Sequence, residues 1–201
     1  MITALDPKTA LVLIDMQNAI AAIKGAHAFD GIVEKTKQLI DAFREKDLPI
    51  VFVNVNPIGQ AWTQKRADQP SQMPKDEEGI RAAKKNWEEN GLGNIISQLQ
   101  VKEGDIMVTK HTWSAFPNTN LQSELQKRGI TGIVLAGVAT SIGVEGTARD
   151  ASVLGYNLTF ANDAMTDMFL EAHDNSIARI FPRIGEVDTT EAIVAKVREL
   201  A

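Results

Sequence analysis

Close to its amino terminus the chain reads Ala10-Leu11-Val12-Leu13-Ile14, a short and uninterrupted apolar run. Short apolar runs rich in branched residues are typical of strands that are buried on both faces of a parallel sheet. Further runs of this kind follow it, and helical patterns separate them. The predicted strands are residues 10–14, 49–55, 106–108, 130–135 and, with a weaker pattern, 156–161.

Helical patterns occupy the segments between these strands. Gly129 is a typical glycine just after a helix end, and Asp188-Thr189-Thr190-Glu191 resembles the capping box that begins a helix. The predicted helices cover residues 32–46, 121–129, 142–155, 168–180 and 188–200. Alternating strands and helices predict an α/β fold, a doubly wound, mostly parallel six-stranded sheet of Rossmann-like type with helices on both faces. We expect one domain over residues 1–201.

One stretch interrupts this alternation. Residues 56–79 contain Pro57, Gly59, Pro70 and Pro74 among scattered polar residues, and are too long for a simple connection. Loops of this length in a compact domain are often lids or parts of binding sites. We therefore predict that this stretch contributes to a site.

The composition excludes several classes of function. Apolar residues make up 44% of the 201 residues and charged residues 23%, as in an ordinary globular protein. The chain has no cysteine, which excludes disulfides, thiolate metal sites and thiol catalysis. The net charge of −5 is spread without a basic stripe, so we expect no nucleic acid partner. We find neither a signal peptide nor a membrane-spanning run, and expect a cytoplasmic protein without a membrane partner.

Polar residues follow the predicted strands at the edge where α/β sheets bind ligands, outside the carboxyl ends of the strands. Asp15 follows the first strand, Asn56 the second and Lys110 the third, and the fourth continues through the turn 137–143 into a helix. An acid, a base and a helix amino terminus thus share one edge. Each feature also has an ordinary structural interpretation, as a turn cap, a solvated lysine or a tight connection, so none is specific alone.

The combination is specific, because these segments in this order resemble the motifs of the isochorismatase-like hydrolase superfamily. They are Leu11-Val12-Leu13-Ile14-Asp15-Met16-Gln17-Asn18, residues 108–116 beginning Val108-Thr109-Lys110-His111, Val134-Leu135-Ala136-Gly137-Val138-Ala139-Thr140-Ser141-Ile142-Gly143-Val144-Glu145, and Thr147-Ala148-Arg149-Asp150-Ala151. Asp163-Ala164 and Glu171-Ala172-His173 fit as well, so the likeness covers nearly the whole chain.

The resemblance implies a catalytic set of Asp15, Lys110 and the residue at position 143. In the cysteine-bearing members an aspartate and a lysine flank a thiol at this position, and backbone amides stabilise the oxyanion. This chain carries Gly143 there, which excludes a covalent thioester route. Ser141 lies two residues earlier, and we expect its side chain to point elsewhere.

A branch of the family, the isochorismatases proper, carries glycine at this position and hydrolyses a vinyl ether to release pyruvate. That reaction needs an acid that protonates the vinyl carbon, after which water adds. Asp15 is the candidate acid. Burial raises the pKa of such a carboxyl whereas a neighbouring lysine such as Lys110 lowers it, and the sequence leaves open which effect is larger.

Two details depart from the isochorismatase pattern. Asn56-Pro57 stands where isochorismatases tend to carry Gln-Pro, and Ala139-Thr140-Ser141 is closer to the turn of the cysteine hydrolases. Nicotinamidase-like relatives bind a metal through Asp and His residues after the second strand. Residues 54–75 contain no histidine, so we predict no metal and no cofactor.

The resemblance also implies a cis peptide between Val138 and Ala139 that aims the Ala139 carbonyl and the Gly143 amide into the pocket. The amides of Ile142 and Gly143 would suit an anionic oxygen, and glycine at 143 would leave volume for a ring. Arg66 is a candidate for binding a carboxylate. The candidate substrate-binding residues are Gln17, Asn56, Trp62, Arg66, Trp113, Phe116, Ala139, Thr140 and Ile142.

Three functions stay open on the sequence. The first is a hydrolase of a small acidic metabolite, an isochorismate-type vinyl ether, with Asp15 as general acid. The second is a hydrolase of a small amide or ester by direct water attack, with Asp15 as general base. The third is a pseudoenzyme that binds a small metabolite without turnover. Relatives commonly form dimers or tetramers, so the resemblance implies a homodimer or homotetramer.

Overall fold

The computed structural model describes residues 1–60 and 73–200, and within them the chain forms one six-stranded sheet. Every pairing between neighbouring strands is parallel, which confirms the predicted α/β fold. The strands are β1 (Thr9–Ile14), β2 (Ile50–Val55), β3 (Ile106–Lys110), β4 (Gly132–Val138), β5 (Asn157–Thr166) and β6 (Glu186–Asp188).

The strand order is β3-β2-β1-β4-β5-β6, so β1 lies in the middle of the sheet. The last residue of β1, Ile14, is in register with Val53 of β2 on one side and Gly137 of β4 on the other. The order of successive strands reverses between β1 and β4. The ends of these two strands therefore form the switch point at which doubly wound sheets bind their ligands.

Helices connect the strands on both faces of the sheet. They are α1 (Asn18–Ala21), α2 (Phe29–Glu45), α3 (Glu77–Glu89), α4 (Leu121–Lys127), α5 (Glu145–Val153), α6 (Leu170–Asn175) and α7 (Thr190–Glu199). A π-helix, Thr140–Val144, leads from β4 into α5, and a second one, Ser176–Ile180, continues α6. Thr189 caps α7 by accepting a hydrogen bond from the Ala192 amide, at the start that the sequence indicated.

The sequence did not predict the short helix α1, helix α3 or strand β6. Helix α3 begins in the last three residues of the stretch predicted as a long loop and continues where the sequence predicted no element. The Asp76 carboxylate caps it by accepting a hydrogen bond from the Gly79 amide. Its partly buried side carries only the apolar side chains of Ile80, Ala83 and Trp87, and none of its residues is fully buried. Strand β6 has only the polar residues Glu186 and Asp188 around Val187, and carries no apolar run.

The core has two layers, one on each face of the sheet. On one face, Phe43 of α2 and Ile193 of α7 pack against Leu11 and Leu13 of β1. On the other face, Leu125 of α4 and Ala148 of α5 join the alternate β1 residues Ala10, Val12 and Ile14. The apolar run of β1 is thus buried on both sides, as expected of a central parallel strand. Within the described residues, no helix is long and apolar enough to span a membrane.

Candidate active site

Asp15 is the first residue after β1, and its backbone adopts a left-handed conformation with φ 52°. Its amide donates a hydrogen bond of 2.8 Å to the Val53 carbonyl, which fixes the turn to the end of β2. Asp15 is only 5% exposed. The switch point of the sheet therefore carries a buried carboxylate whose main chain is anchored to the neighbouring strand.

Lys110, the last residue of the edge strand β3, reaches Asp15 past the end of β2. Its Nζ lies 2.8 Å from Asp15 Oδ2 and donates a second hydrogen bond of 3.0 Å to the Thr112 carbonyl. At 2% exposure it is one of the largest buried side chains of the described protein. The predicted acid and lysine therefore form one buried ion pair.

Burial decides the protonation of Asp15. Desolvation raises its pKa from 3.8 to about 6, and the charge and hydrogen bond of Lys110 only partly offset this effect. The second oxygen, Oδ1, is buried and has no hydrogen-bond partner among the described residues. A carboxylate loses hydration at such an oxygen without compensation, which favours its protonated form. Asp15 thus titrates close to neutral pH, where an acid or base catalyst is most effective.

Gly143 lies in the π-helix directly beside this ion pair. A Cβ at this position would lie 3.2 Å from Asp15 Oδ2, 3.4 Å from the Val138 carbonyl oxygen and 2.8 Å from Cγ2 of Ile14. A side chain at position 143 would thus lie beside Asp15. Cγ2 of Ile14 crowds the Cβ position itself, whereas Gly143 lines the cavity at this edge of the sheet, so room for a ring at Gly143 stays a prediction.

A cavity of about 320 Å³ opens at this edge of the sheet, at the small end of the range for small-molecule sites. It brings together six of the predicted site residues, which are Asp15, Lys110, Trp113, Ala139, Ile142 and Gly143. Most of the other lining residues are apolar. A buried ion pair in the wall of a small, mostly apolar cavity is an arrangement suited to proton transfer in a small molecule.

The family of this chain follows from comparison with known proteins. The model of the isochorismatase domain matches residues 9–192, nearly the whole chain. The chain belongs to the isochorismatase family. Members of this family are hydrolases, so the protein is an isochorismatase-family hydrolase.

Several relatives illustrate the range of this family. An uncharacterized isochorismatase family protein of Bacillus subtilis, YwoC, is 40% identical, with 95% of each chain covered. The ureidoacrylate amidohydrolase RutB of Agrobacterium fabrum is 31% identical over 97% of this chain and 93% of its own. The structure of an isochorismatase family protein from Burkholderia thailandensis superposes with a TM-score of 0.83 at 35% identity, covering 98% of this chain and 100% of that one. The family therefore includes an amidohydrolase that is similar along almost the entire chain.

The backbone hydrogen bonds of the turn after β4 differ from those that the resemblance implied. The Val138–Ala139 peptide is cis. The Ala139 carbonyl accepts hydrogen bonds of 3.1 Å from the amides of Ile142 and Val144. This carbonyl is therefore turned into the π-helix rather than into the cavity, and the Ile142 amide is not free for an anionic oxygen. Ala139 and Ile142 still line the cavity.

Ser141 is directed away from the reaction site. Its amide and its hydroxyl donate hydrogen bonds of 2.7 and 2.8 Å to Oδ2 of Asp167. The other oxygen of Asp167 accepts a hydrogen bond of 2.8 Å from the Met168 amide. Asp167 thus holds the beginning of the π-helix to the end of β5, and the Ser141 hydroxyl is not placed as a nucleophile.

Two of the predicted substrate-binding residues at the ends of β1 and β2 lie outside the cavity lining. The Gln17 side chain is fully buried and binds the backbone, accepting from the Val55 amide at 2.6 Å and donating to the carbonyls of Val55 and Leu92. The Asn56 Oδ1 accepts a hydrogen bond of 3.2 Å from the Ile58 amide. Both side chains fix the loops around the site instead of facing it.

Two more candidates also contact protein rather than the cavity. Phe116 stacks on Tyr156 with 6.0 Å between ring centroids, inside the apolar core. The Thr140 hydroxyl is hydrogen-bonded at 2.8 Å to Nδ1 of the buried His173. Trp62 and Arg66 lie outside the described residues.

The α1–α2 connection and the end of β5 contribute a wall of the cavity that was not predicted from the sequence. His27 lines the cavity, and its Nδ1 lies 3.0 Å from the Thr166 hydroxyl. Its ring also contacts the ring of His173 edge-to-face, with 4.8 Å between the ring centroids. The pKa of His173 is lowered, mainly because the side chain is buried. Ala26 to Ala28 carry no periodic pattern or motif, so no sequence signal marked them.

The described side chains contain no group of three or more His, Asp or Glu residues that could hold a metal ion. The absence of a metal and of a cofactor stays a prediction.

Proposed function

We propose that this protein hydrolyses a small molecule without a covalent enzyme intermediate, and that Asp15 is the general acid. The leading reaction is the hydrolysis of an isochorismate-type vinyl ether. The observation that supports it is the buried Asp15 beside Gly143, whose pKa is raised to about 6 although Lys110 lies 2.8 Å away. An ordinary aspartate is almost fully ionised at neutral pH, whereas this one retains a protonated fraction.

The proposed reaction proceeds in two stages. Asp15 gives its proton to the terminal vinyl carbon, and positive charge develops at the ether carbon. Water adds to that carbon, and the resulting hemiketal breaks into pyruvate and an alcohol. A proton from the added water restores the acid. Lys110 stabilises the carboxylate that exists between the two stages, because its Nζ already faces Oδ2.

Side chains at the cavity wall would hold the substrate for this reaction. Trp113 is half exposed at the cavity and offers an aromatic surface, and Ala139 and Ile142 border the position of Gly143. We propose these three residues as substrate contacts. The contacts of Gln17, Asn56, Phe116 and Thr140 support a structural role for those residues instead.

A second candidate is the hydrolysis of a small amide or ester by water, with Asp15 as general base. The similarity to a ureidoacrylate amidohydrolase favours it. A pKa of about 6 also leaves most Asp15 ionised at neutral pH, as a base requires. The two candidates use the same carboxyl in opposite protonation states.

The first experiment measures pyruvate release from isochorismate by the wild type and by Asp15→Asn. Asparagine tolerates the left-handed backbone of this position, so the variant should fold. We expect a loss of at least about 100-fold, the usual size of an acid–base contribution. Asp41→Asn changes an exposed aspartate of α2 and serves as the matched control, with full activity expected.

The pH dependence distinguishes the two candidates. With Asp15 as acid, kcat/KM is level below about pH 6 and falls tenfold per unit above it, because the protonated fraction of this carboxyl declines. With Asp15 as base, kcat/KM rises up to about pH 6 and then levels off. The absence of hydrolysis with isochorismate and with a panel of amides and esters would contradict both.

A further inference from the structure

Part of the cavity wall is apolar. We term this part the apolar subsite; it consists of Ile20 of α1, Ile23 after α1, Phe29 at the start of α2, and Met168 after β5. Ile23 and Met168 are each 46% exposed, although they are large apolar side chains. Such exposure at a concave surface is typical of a ligand-binding wall.

The apolar subsite is held in place by backbone hydrogen bonds. The Ala26 amide donates a hydrogen bond of 2.7 Å to the Asp167 carbonyl, and the His27 amide donates one of 3.2 Å to the Thr166 hydroxyl. Ile20 and Phe29 also pack on the core beneath them. The connection between α1 and α2 is therefore fixed to the end of β5.

The charged groups of the described cavity wall have partners within the protein. Lys110 is paired with Asp15 and the Thr112 carbonyl, and Asp167 is bonded to Ser141 and Met168. His27 is bonded to the Thr166 hydroxyl. A charged group of a ligand at the apolar subsite would lose water and gain no opposite charge from the described residues of the cavity wall, which is costly.

We propose that the apolar subsite binds an uncharged apolar part of the substrate, an alkyl chain or the carbon face of a ring, while the bond to be hydrolysed lies at Asp15 and the charged groups of the substrate lie outside the subsite. The proposal rests on the proposed function for the position of the reacting bond. It assigns the residues that select the substrate, Ile23, Phe29 and Met168, and the chemical class they select.

The test uses ligands that cannot be hydrolysed. Ethanol, 1-butanol and 1-hexanol carry the same hydroxyl, which can donate to Asp15, on chains of increasing length. Titrations followed by NMR chemical shifts of the protein should show Kd falling about threefold to fourfold per methylene group. 6-Hydroxyhexanoate replaces the far methyl of hexanol by a carboxylate, and we expect it to bind at least about tenfold more weakly.

Two variants locate the effect. Ile23→Asp places a charge in the apolar subsite. It should weaken the binding of 1-hexanol at least about tenfold and leave the Kd of ethanol unchanged. Val153→Asp makes the same change at an apolar residue that is 88% exposed at the end of α5, outside the cavity, and should change neither affinity. Both residues lie outside the core, so both variants should keep the Tm of the wild type.

The outcomes separate this proposal from the proposed function. Equal affinity along the alcohol series, equal affinity for 6-hydroxyhexanoate and hexanol, or equal effects of the two variants would overturn the subsite. None of these measurements needs turnover. Graded binding in a protein that hydrolyses nothing would therefore support the subsite and contradict the reaction.

Discussion

Cγ2 of Ile14 lies 2.8 Å from the point that a Cβ would occupy at Gly143. A real Cβ does not approach a carbon so closely, because van der Waals contact begins well beyond this distance. Gly143 is therefore built into the packing of β1 against the π-helix. This packing is consistent with the proposed chemistry, which proceeds without a side chain at this position.

This packing predicts that Gly143→Ala is destabilising. Inserting a methyl group against Ile14 should lower the free energy of unfolding by about 1–3 kcal/mol, the usual cost of overpacking. Chemical denaturation measures this. Gly31→Ala is the matched control, because a Cβ at Gly31 in α2 would meet nothing within 4 Å. The control should be stabilised by about 0.5–1 kcal/mol through its helix propensity. Equal behaviour of the two variants would show that Ile14 adapts freely.

Lys110→Met leaves the Asp15 carboxyl buried without its counter-charge. The pKa of Asp15 should then rise further above 6, because the attraction of Lys110 is what lowers it. The inflection of the pH–rate profile should then move to higher pH, following the pKa of Asp15. Breaking a buried pair in this way usually costs about 3–5 kcal/mol of unfolding free energy.

The stability that Lys110→Met loses relative to the wild type should depend on pH in a definite direction. A carboxyl whose pKa is higher in the folded than in the unfolded state binds more protons when folded, so acid favours folding. The deficit of Lys110→Met at pH 7 should therefore shrink as the pH falls toward 4. Lys35→Met removes the more exposed Lys35–Asp163 pair and should cost under about 1 kcal/mol at either pH. A deficit as large at pH 4 as at pH 7 would contradict the assignment to Asp15.

Gln17→Ala tests whether Gln17 is structural or binds substrate. The change leaves the Val55 amide and carbonyl and the Leu92 carbonyl without their partner, so the free energy of unfolding should fall by about 1–3 kcal/mol. Gln38→Ala, at an exposed position of α2, should be close to neutral. An effect of Gln17→Ala confined to KM, with unchanged stability, would restore Gln17 as a substrate contact.

Much of the fold followed from local patterns. A run such as residues 10–14 can be recognised by itself, because burial on both faces requires an apolar residue at every position. β6 and α3 were not predicted, because both lie near the surface, where burial requires few apolar residues. The single domain and the oligomeric state stay predictions.

The sequence by itself determined the family and the meeting of Asp15, Lys110 and Gly143, because parallel strands bring their carboxyl ends to one edge of a sheet. Only the tertiary structure decided the environment of these residues. It showed that burial outweighs the effect of Lys110 on the pKa of Asp15, and that Cγ2 of Ile14 crowds the Cβ position of residue 143. A pKa and a contact depend on how segments distant in sequence exclude water and occupy volume, and no spacing along one chain records that.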